Sequence, residues 1–124
     1  MKKIISFILL FSFILSLVGC NKSESAITVS TFSYYEHAEK YKENNPGVKH
    51  DGFTNTNESK IVNAEDALGR AKKECTIEWD AFQVSFDNES NVWMVLFYTE
   101  GMLGGDQSIY LDSNGKTLLI VYGE

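Results

Sequence analysis

The chain has little of several residue types on which common protein chemistries depend. Its 124 residues include two cysteines, two histidines and one proline, and 17 acidic residues outnumber 11 basic ones. The formal net charge of −6 disfavours nucleic acid as a partner, because an acidic surface repels a phosphate backbone. After residue 18 there is no apolar run of membrane-spanning length, which would need about 20 residues.

Residue patterns that are typical of enzymes are also missing. No Ser-His-Asp or nucleophile-elbow arrangement occurs, and no pair of carboxylates has a spacing that indicates acid–base chemistry. The candidates for metal ligands that lie close together in the sequence are Glu36, His37, His50 and Asp51. The better interpretation of these residues is a solvated surface. We therefore expect a protein that is not an enzyme and has no metal or cofactor.

The N-terminal segment has the layout of an export signal. Two lysines precede an apolar run at residues 4–18. The last two residues of the run and the two that follow it read Leu17-Val18-Gly19-Cys20. This segment resembles a bacterial lipoprotein signal, in which the chain is cut just before the cysteine and the cysteine thiol carries a diacylglyceryl group. The resemblance implies cleavage between Gly19 and Cys20, lipidation of Cys20, and attachment to the extracytoplasmic face of the cell membrane. The alternatives are an uncleaved anchor or an ordinary signal peptide with a chance cysteine.

Cleavage at this position would leave a chain of one-domain size. The remaining 105 residues contain nine basic and 17 acidic residues, so the net charge becomes −8. Two acyl chains hold a protein stably, so the membrane is an expected partner through the lipid. Cys75 would be the one remaining thiol, which excludes an internal disulfide. We expect it to be a small apolar residue buried at the end of a helix.

We divide the chain into four segments. Residues 1–19 are the signal, residues 20–31 a flexible polar tether, residues 32–62 a helix plus a loop, and residues 63–124 an α+β domain. In the third segment, residues 32–43 predict a helix that residues 44–47 stop, because they include Pro46 and Gly47. Residues 48–60 predict a loop. The inward side of that helix would carry Phe32, Tyr35, Ala38 and Tyr41.

The fourth segment predicts one helix followed by four strands. Asn63 suits a helix N-cap, and an apolar stripe at helical spacing follows it. The strands are predicted at residues 82–86, 92–99, 107–112 and 116–122, with a tight turn at Gly115. Residues 92–99 are apolar on both faces, as in a strand covered on both sides or on one side by a partner. The predicted fold is α+β, with the N-terminal helix or helices packed on a four-stranded antiparallel meander. The helical stripe consists of Ala64, Ala67, Leu68, Ala71 and Cys75.

Two resemblances accompany this pattern. The helix at residues 64–75 and the hairpin at residues 110–120 resemble PepSY-like domains, which implies an envelope protein that binds or inhibits another protein and is not an enzyme. A second set of residues is similar to small immunity proteins with a cystatin-like roll, in which a curved sheet wraps a long helix and the protein neutralises a toxin by binding it. That second set is Trp93, Leu103, Gly104, Gly105, Gly115 and Lys116.

The candidate binding surface combines one aromatic residue with a glycine-rich connection. Residues 101–106 form either a binding loop with exposed N–H groups or a bulged connection that needs positive φ. The expected function is that of a membrane-anchored lipoprotein with a small protein-binding or inhibitory domain and an envelope protein as partner. The alternative is an immunity-type or small-ligand-binding protein with a cystatin-like roll. The surface consists of Trp93, Leu103, Gly104, Gly105 and Asp106.

Overall fold

The structure is a computed structural model that describes residues 27–54 and 59–123. The predicted cleavage site and Cys20 lie outside the described residues. The elements within these ranges are β1 Val29–Thr31, α1 Tyr34–Lys40, β2 Val48–Lys49, α2 Ala64–Glu74, β3 Ala81–Asp87, β4 Val92–Tyr98, β5 Gln107–Asp112 and β6 Thr117–Tyr122.

The strands form one mixed sheet in the order β1-β3-β4-β5-β6-β2. Strands β3 to β6 make the predicted antiparallel meander, so the α+β class is confirmed. The prediction of four strands was wrong, because β1 pairs in parallel with β3 and β2 pairs antiparallel with β6. These short strands come from the expected tether and loop. They satisfy backbone N–H and C=O groups that the outer meander strands would otherwise leave unpaired.

Helix α2 covers one face of the sheet as its alanine stripe predicts. The Asn63 side chain caps the helix by accepting from the Asp66 N–H at 2.8 Å, and the Cys75 N–H closes it on the Ala71 carbonyl at 3.0 Å. Ala67 and Ala71 are fully buried and belong to the same core cluster as Val95, Phe97 and Ile109 of β4 and β5. Small side chains on the helix thus permit close packing on the two central strands.

Two buried polar side chains tie the C-terminal end of α2 to its surroundings, and the sequence pattern did not reveal them. The fully buried Gln107 accepts from the Thr76 N–H at 2.9 Å, and its Nε2 lies 3.1 Å from Thr76 Oγ1. The Glu74 carboxylate accepts from both the N–H and the hydroxyl of Thr54, at 2.8 and 2.5 Å. Buried polar groups need such partners, so these bonds fix the helix end against β5 and against the preceding loop.

Helix α1 lies against the other face and is shorter than predicted. Ser33 caps it by accepting from the Glu36 N–H, so the helix begins at Tyr34, and it ends at Lys40 before the proline segment. Phe32 and Tyr41 pack inward as expected, whereas Tyr35 is 74% exposed, and its prediction as an inward residue was wrong. Tyr34 packs against the sheet cluster instead. The sheet residues under α1 are Val92, Tyr110, Leu119 and Val121.

The two ends of the meander differ in their connections. We call the "turn end" the end with the short hairpin turns after β3 and β5, where Gly115 adopts the predicted positive φ of 88°. We call the "loop end" the opposite end, where β3 and β5 begin, β4 and β6 end, and residues 99–106 connect β4 to β5. Because β1 runs parallel to β3, the chain that precedes β1 enters at the loop end.

Candidate functional site

The structure does not bring the predicted binding residues together. Trp93 is the second residue of β4, at the turn end, whereas Leu103 to Asp106 follow β4 at the loop end. The Trp93 ring is buried on the α2 face and stacks on Phe86 with 4.4 Å between the ring centroids. Its Nε1 is buried without a hydrogen-bond partner in the structure. Trp93 is therefore a core residue, separated from the loop by the length of its own strand.

The connection at residues 99–106 is a built turn with an apolar tip. The Met102 N–H donates to the Thr99 carbonyl at 3.2 Å, and three glycines adopt φ between 69° and 77°, as the glycine-rich sequence predicted. At the tip, Leu103 is fully exposed and Met102 is 62% exposed. The Asp106 carbonyl accepts from the Gly123 N–H at 2.9 Å, which joins the loop to the end of β6.

A polar aromatic cluster joins α1 to the sheet. His37 Nδ1 lies 2.5 Å from the hydroxyl of Tyr110, whose side chain is buried on β5. Burial raises the pKa of Tyr110, so its hydroxyl keeps its proton at neutral pH. Burial, and after it the charge of Lys40, lowers the pKa of His37, which favours the neutral imidazole.

Asp87 joins the start of α1 to the turn after β3. Its carboxylate accepts from the Ser90 hydroxyl at 2.7 Å, from the Tyr34 N–H at 2.9 Å and from the Glu89 N–H at 3.0 Å. The Ser90 bond, followed by the Tyr34 bond, holds the pKa of Asp87 below its usual range. All these contacts stabilise local structure, so the charge of Asp87 is used within the fold.

Helix α1 covers only part of its face of the sheet. Along β4 on this face, Val92 is buried, whereas Met94, Leu96 and Tyr98 are only half-buried. The predicted cover on both sides of β4 is thus complete under α2 and partial under α1. We call the uncovered part, toward the loop end, the "open half-face". It consists of Leu96 and Tyr98 on β4, Gln83 on β3 and Ser108 on β5.

Four shallow cavities of about 240 to 370 Å³ lie on the surface of the described residues; Gln83 of the open half-face lines one of them, and neither Trp93 nor the loop glycines line any of the four. The largest of the four lies beside Ile27 and Phe82, where the chain enters the sheet. No group of three metal-ligating side chains occurs within residues 27–54 and 59–123, and His37 binds Tyr110. The helices of this part of the chain are too short and polar to cross a membrane.

Comparison with known proteins identifies no relative: no family model, no curated sequence and no solved structure matches the chain.

The partial burial of His37 against the sheet predicts a pH-dependent stability. Because the pKa of His37 is lower in the folded protein than its ordinary value of about 6.5, the unfolded chain binds the proton first. Stability is therefore full above about pH 6.5 and falls as the pH drops below it, by less than about 1 kcal/mol for this partly exposed ring. Urea unfolding at pH 7.5 and 5.5 measures the loss, and His37→Gln should remove that part of it.

The second histidine provides the matched control. His50 is exposed, so His50→Gln should leave the pH difference of the parent protein in place. An equal change in both variants, or none in His37→Gln, would contradict the role of His37.

Proposed function

We propose that this chain is a lipoprotein of the cell envelope, anchored by a diacylglyceryl group on Cys20, whose α+β domain binds a protein and is not an enzyme. The observation that carries the anchor is the sequence Leu17-Val18-Gly19-Cys20 at the end of a lysine-led apolar run. Cleavage before Cys20 leaves six residues between the lipid-bearing cysteine and Ile27. The domain then stands on the extracytoplasmic face of the membrane, close to the lipid surface.

The other cysteine is a poor competitor for modification. Cys75 is half-buried at the C-cap of α2, where its thiol lies 3.6 Å from the Ile77 carbonyl. Burial raises the pKa of this thiol, which keeps it protonated and unreactive at neutral pH. These contacts support a packing role for Cys75 and favour Cys20 as the modified residue.

Three polar groups that an active site could use are already committed to the fold. His37 shares a hydrogen bond with Tyr110, Asp87 accepts from Ser90 and Tyr34, and Glu74 accepts from Thr54. These three sites lie on α1, at the turn end and at the end of α2, so they do not converge on one substrate position. This distribution favours a binding domain over an enzyme, for which groups must meet within hydrogen-bond reach.

The open half-face is the surface best suited to a protein partner. Leu96 and Tyr98 present half-buried apolar area, and the exposed Gln83 lies directly opposite Leu96 on β3. An apolar centre beside polar neighbours is the common composition of a protein interface, in which tyrosine is enriched. We place the partner in the cell envelope because the anchor holds the domain there.

Cys20→Ala tests the anchor. The variant should lose incorporation of labelled fatty acid and should no longer sediment with membranes, because the thiol that carries the lipid is gone. Cys75→Ala is the matched control and should retain both properties. Label incorporation that survives in Cys20→Ala, or that is lost in Cys75→Ala, would contradict the proposal.

A photo-crosslinking residue at Gln83 tests the binding surface. In intact cells it should give one dominant crosslinked product, because Gln83 is exposed on the open half-face. The same residue at Asn88, exposed at the turn end, should give little, and Leu96→Lys should reduce the Gln83 product by placing a charge at the centre of the surface. Equal products from both positions, or a Gln83 product that is insensitive to Leu96→Lys, would contradict this assignment.

A further inference from the structure

Exposed apolar side chains concentrate at the loop end of the sheet. Six large apolar residues of the described chain are exposed, and Met102, Leu103 and Tyr122 among them lie at this end. Tyr122 is the last residue of β6 and pairs with Gln107, the residue at which the loop rejoins β5. Apolar side chains exposed together indicate an interaction site more strongly than scattered ones do.

The tip of the loop is held in place and does not fold back on the sheet. The bond from the Met102 N–H to Thr99 closes a turn, and the bond from the Gly123 N–H to Asp106 fixes the loop base to β6. Gly101 and Gly104 adopt φ of 77°, a conformation that a residue with a side chain would rarely take. The backbone therefore presents Leu103 outward with its whole side chain in solvent.

The anchored chain enters at the same end. Val29 pairs in parallel with Val84, and Ile27 lines a cavity beside Phe82, which itself pairs with Phe97 near the end of β4. Six residues separate Ile27 from Cys20, so the extended reach is at most about 25 Å. Neighbouring strands are about 4.8 Å apart, so the loop base lies only a few strand spacings from the entry point.

We propose that Met102 and Leu103, with Tyr122 at the same end of the sheet, insert into the headgroup region of the bilayer that holds the lipid on Cys20. This inference rests on the proposed lipid anchor and adds an orientation: the domain stands with its loop end on the membrane and its turn end away from it. Apolar residues at the tip bury area among the acyl chains, and the amphipathic ring of Tyr122 suits the interface. The open half-face stays accessible from the side.

The charges at this end define the kind of surface. Asp80 accepts from the Glu100 N–H at 2.9 Å, and Asp106 follows the loop, so carboxylates flank the apolar tip. Lys72 and Lys73 lie near by at the C-terminal end of α2, where Lys72 stacks over Trp79. Carboxylates and lysines occur together at this end, so the proposed contact is apolar insertion that does not need anionic lipid.

Thiol labelling of the lipidated protein in vesicles tests the orientation. In a Cys75→Ser background, Met102→Cys places a thiol at the tip while Leu103 remains, and Asn114→Cys places one at the exposed turn end. In phosphatidylcholine vesicles at low protein density, a water-soluble maleimide should label position 102 about tenfold more slowly than position 114. The retained Leu103 drives the insertion, because burial of a leucine side chain is favoured by at least this factor. Adding Leu103→Ser should restore fast labelling at position 102.

The outcomes separate the inference from the anchor. Protein that floats with vesicles yet is labelled equally at both positions would overturn the orientation and leave the anchor standing. Protein that does not float would overturn the anchor itself. Protection that grows with added phosphatidylglycerol would contradict apolar insertion, and protection that disappears on dilution of protein among vesicles would indicate contact between copies instead of lipid.

Discussion

The parallel pairing of β1 with β3 is the contact on which the second layer of the domain depends. Three residues make it, Val29 to Thr31 opposite Val84 to Phe86. The pairing brings Ser33 and Tyr34 to the turn end, where Asp87 binds the Tyr34 N–H and α1 begins. From there His37 reaches Tyr110 at the centre of the sheet. The same pairing fixes the loop end as the place where the preceding chain enters.

The asymmetry between the two faces follows from the lengths of the helices. The 11 residues of α2 run along the meander and bury a continuous core, whereas the seven residues of α1 cover Val92 and Val121 but leave the loop-end part of β4 uncovered. The strands beneath are apolar on both faces, so the short helix leaves Leu96 and Tyr98 half-buried. A protein-binding function is consistent with this incomplete cover. In this proposal the open half-face contacts the partner and the loop tip contacts the membrane.

The sequence predicts the parts whose signals are local. The alanine stripe, the Asn63 cap, the β5 segment and the turn at Gly115 all depend on residues close together in the chain, and the structure has them as predicted. The edge strands were missed because two or three residues carry no period, and their pairing depends on partners about 55 to 73 residues away. Gln107 and the His37–Tyr110 bond were missed for the same reason. Trp93 was grouped with Leu103 through the resemblance to cystatin-like immunity proteins, although one strand length separates them in space.

The position of the chain entry relative to the two ends can be measured directly. Pulsed electron paramagnetic resonance on a Cys20→Ala, Cys75→Ser chain would compare nitroxide pairs at positions 28 and 103 with pairs at positions 28 and 114. Position 28 lies level with Gln83, and a strand of six residues spans about 20 Å, so the pair that includes position 114 should be longer by several ångströms. A longer distance between positions 28 and 103 would mean that the chain enters at the turn end, and would contradict the parallel pairing and the membrane orientation built on it.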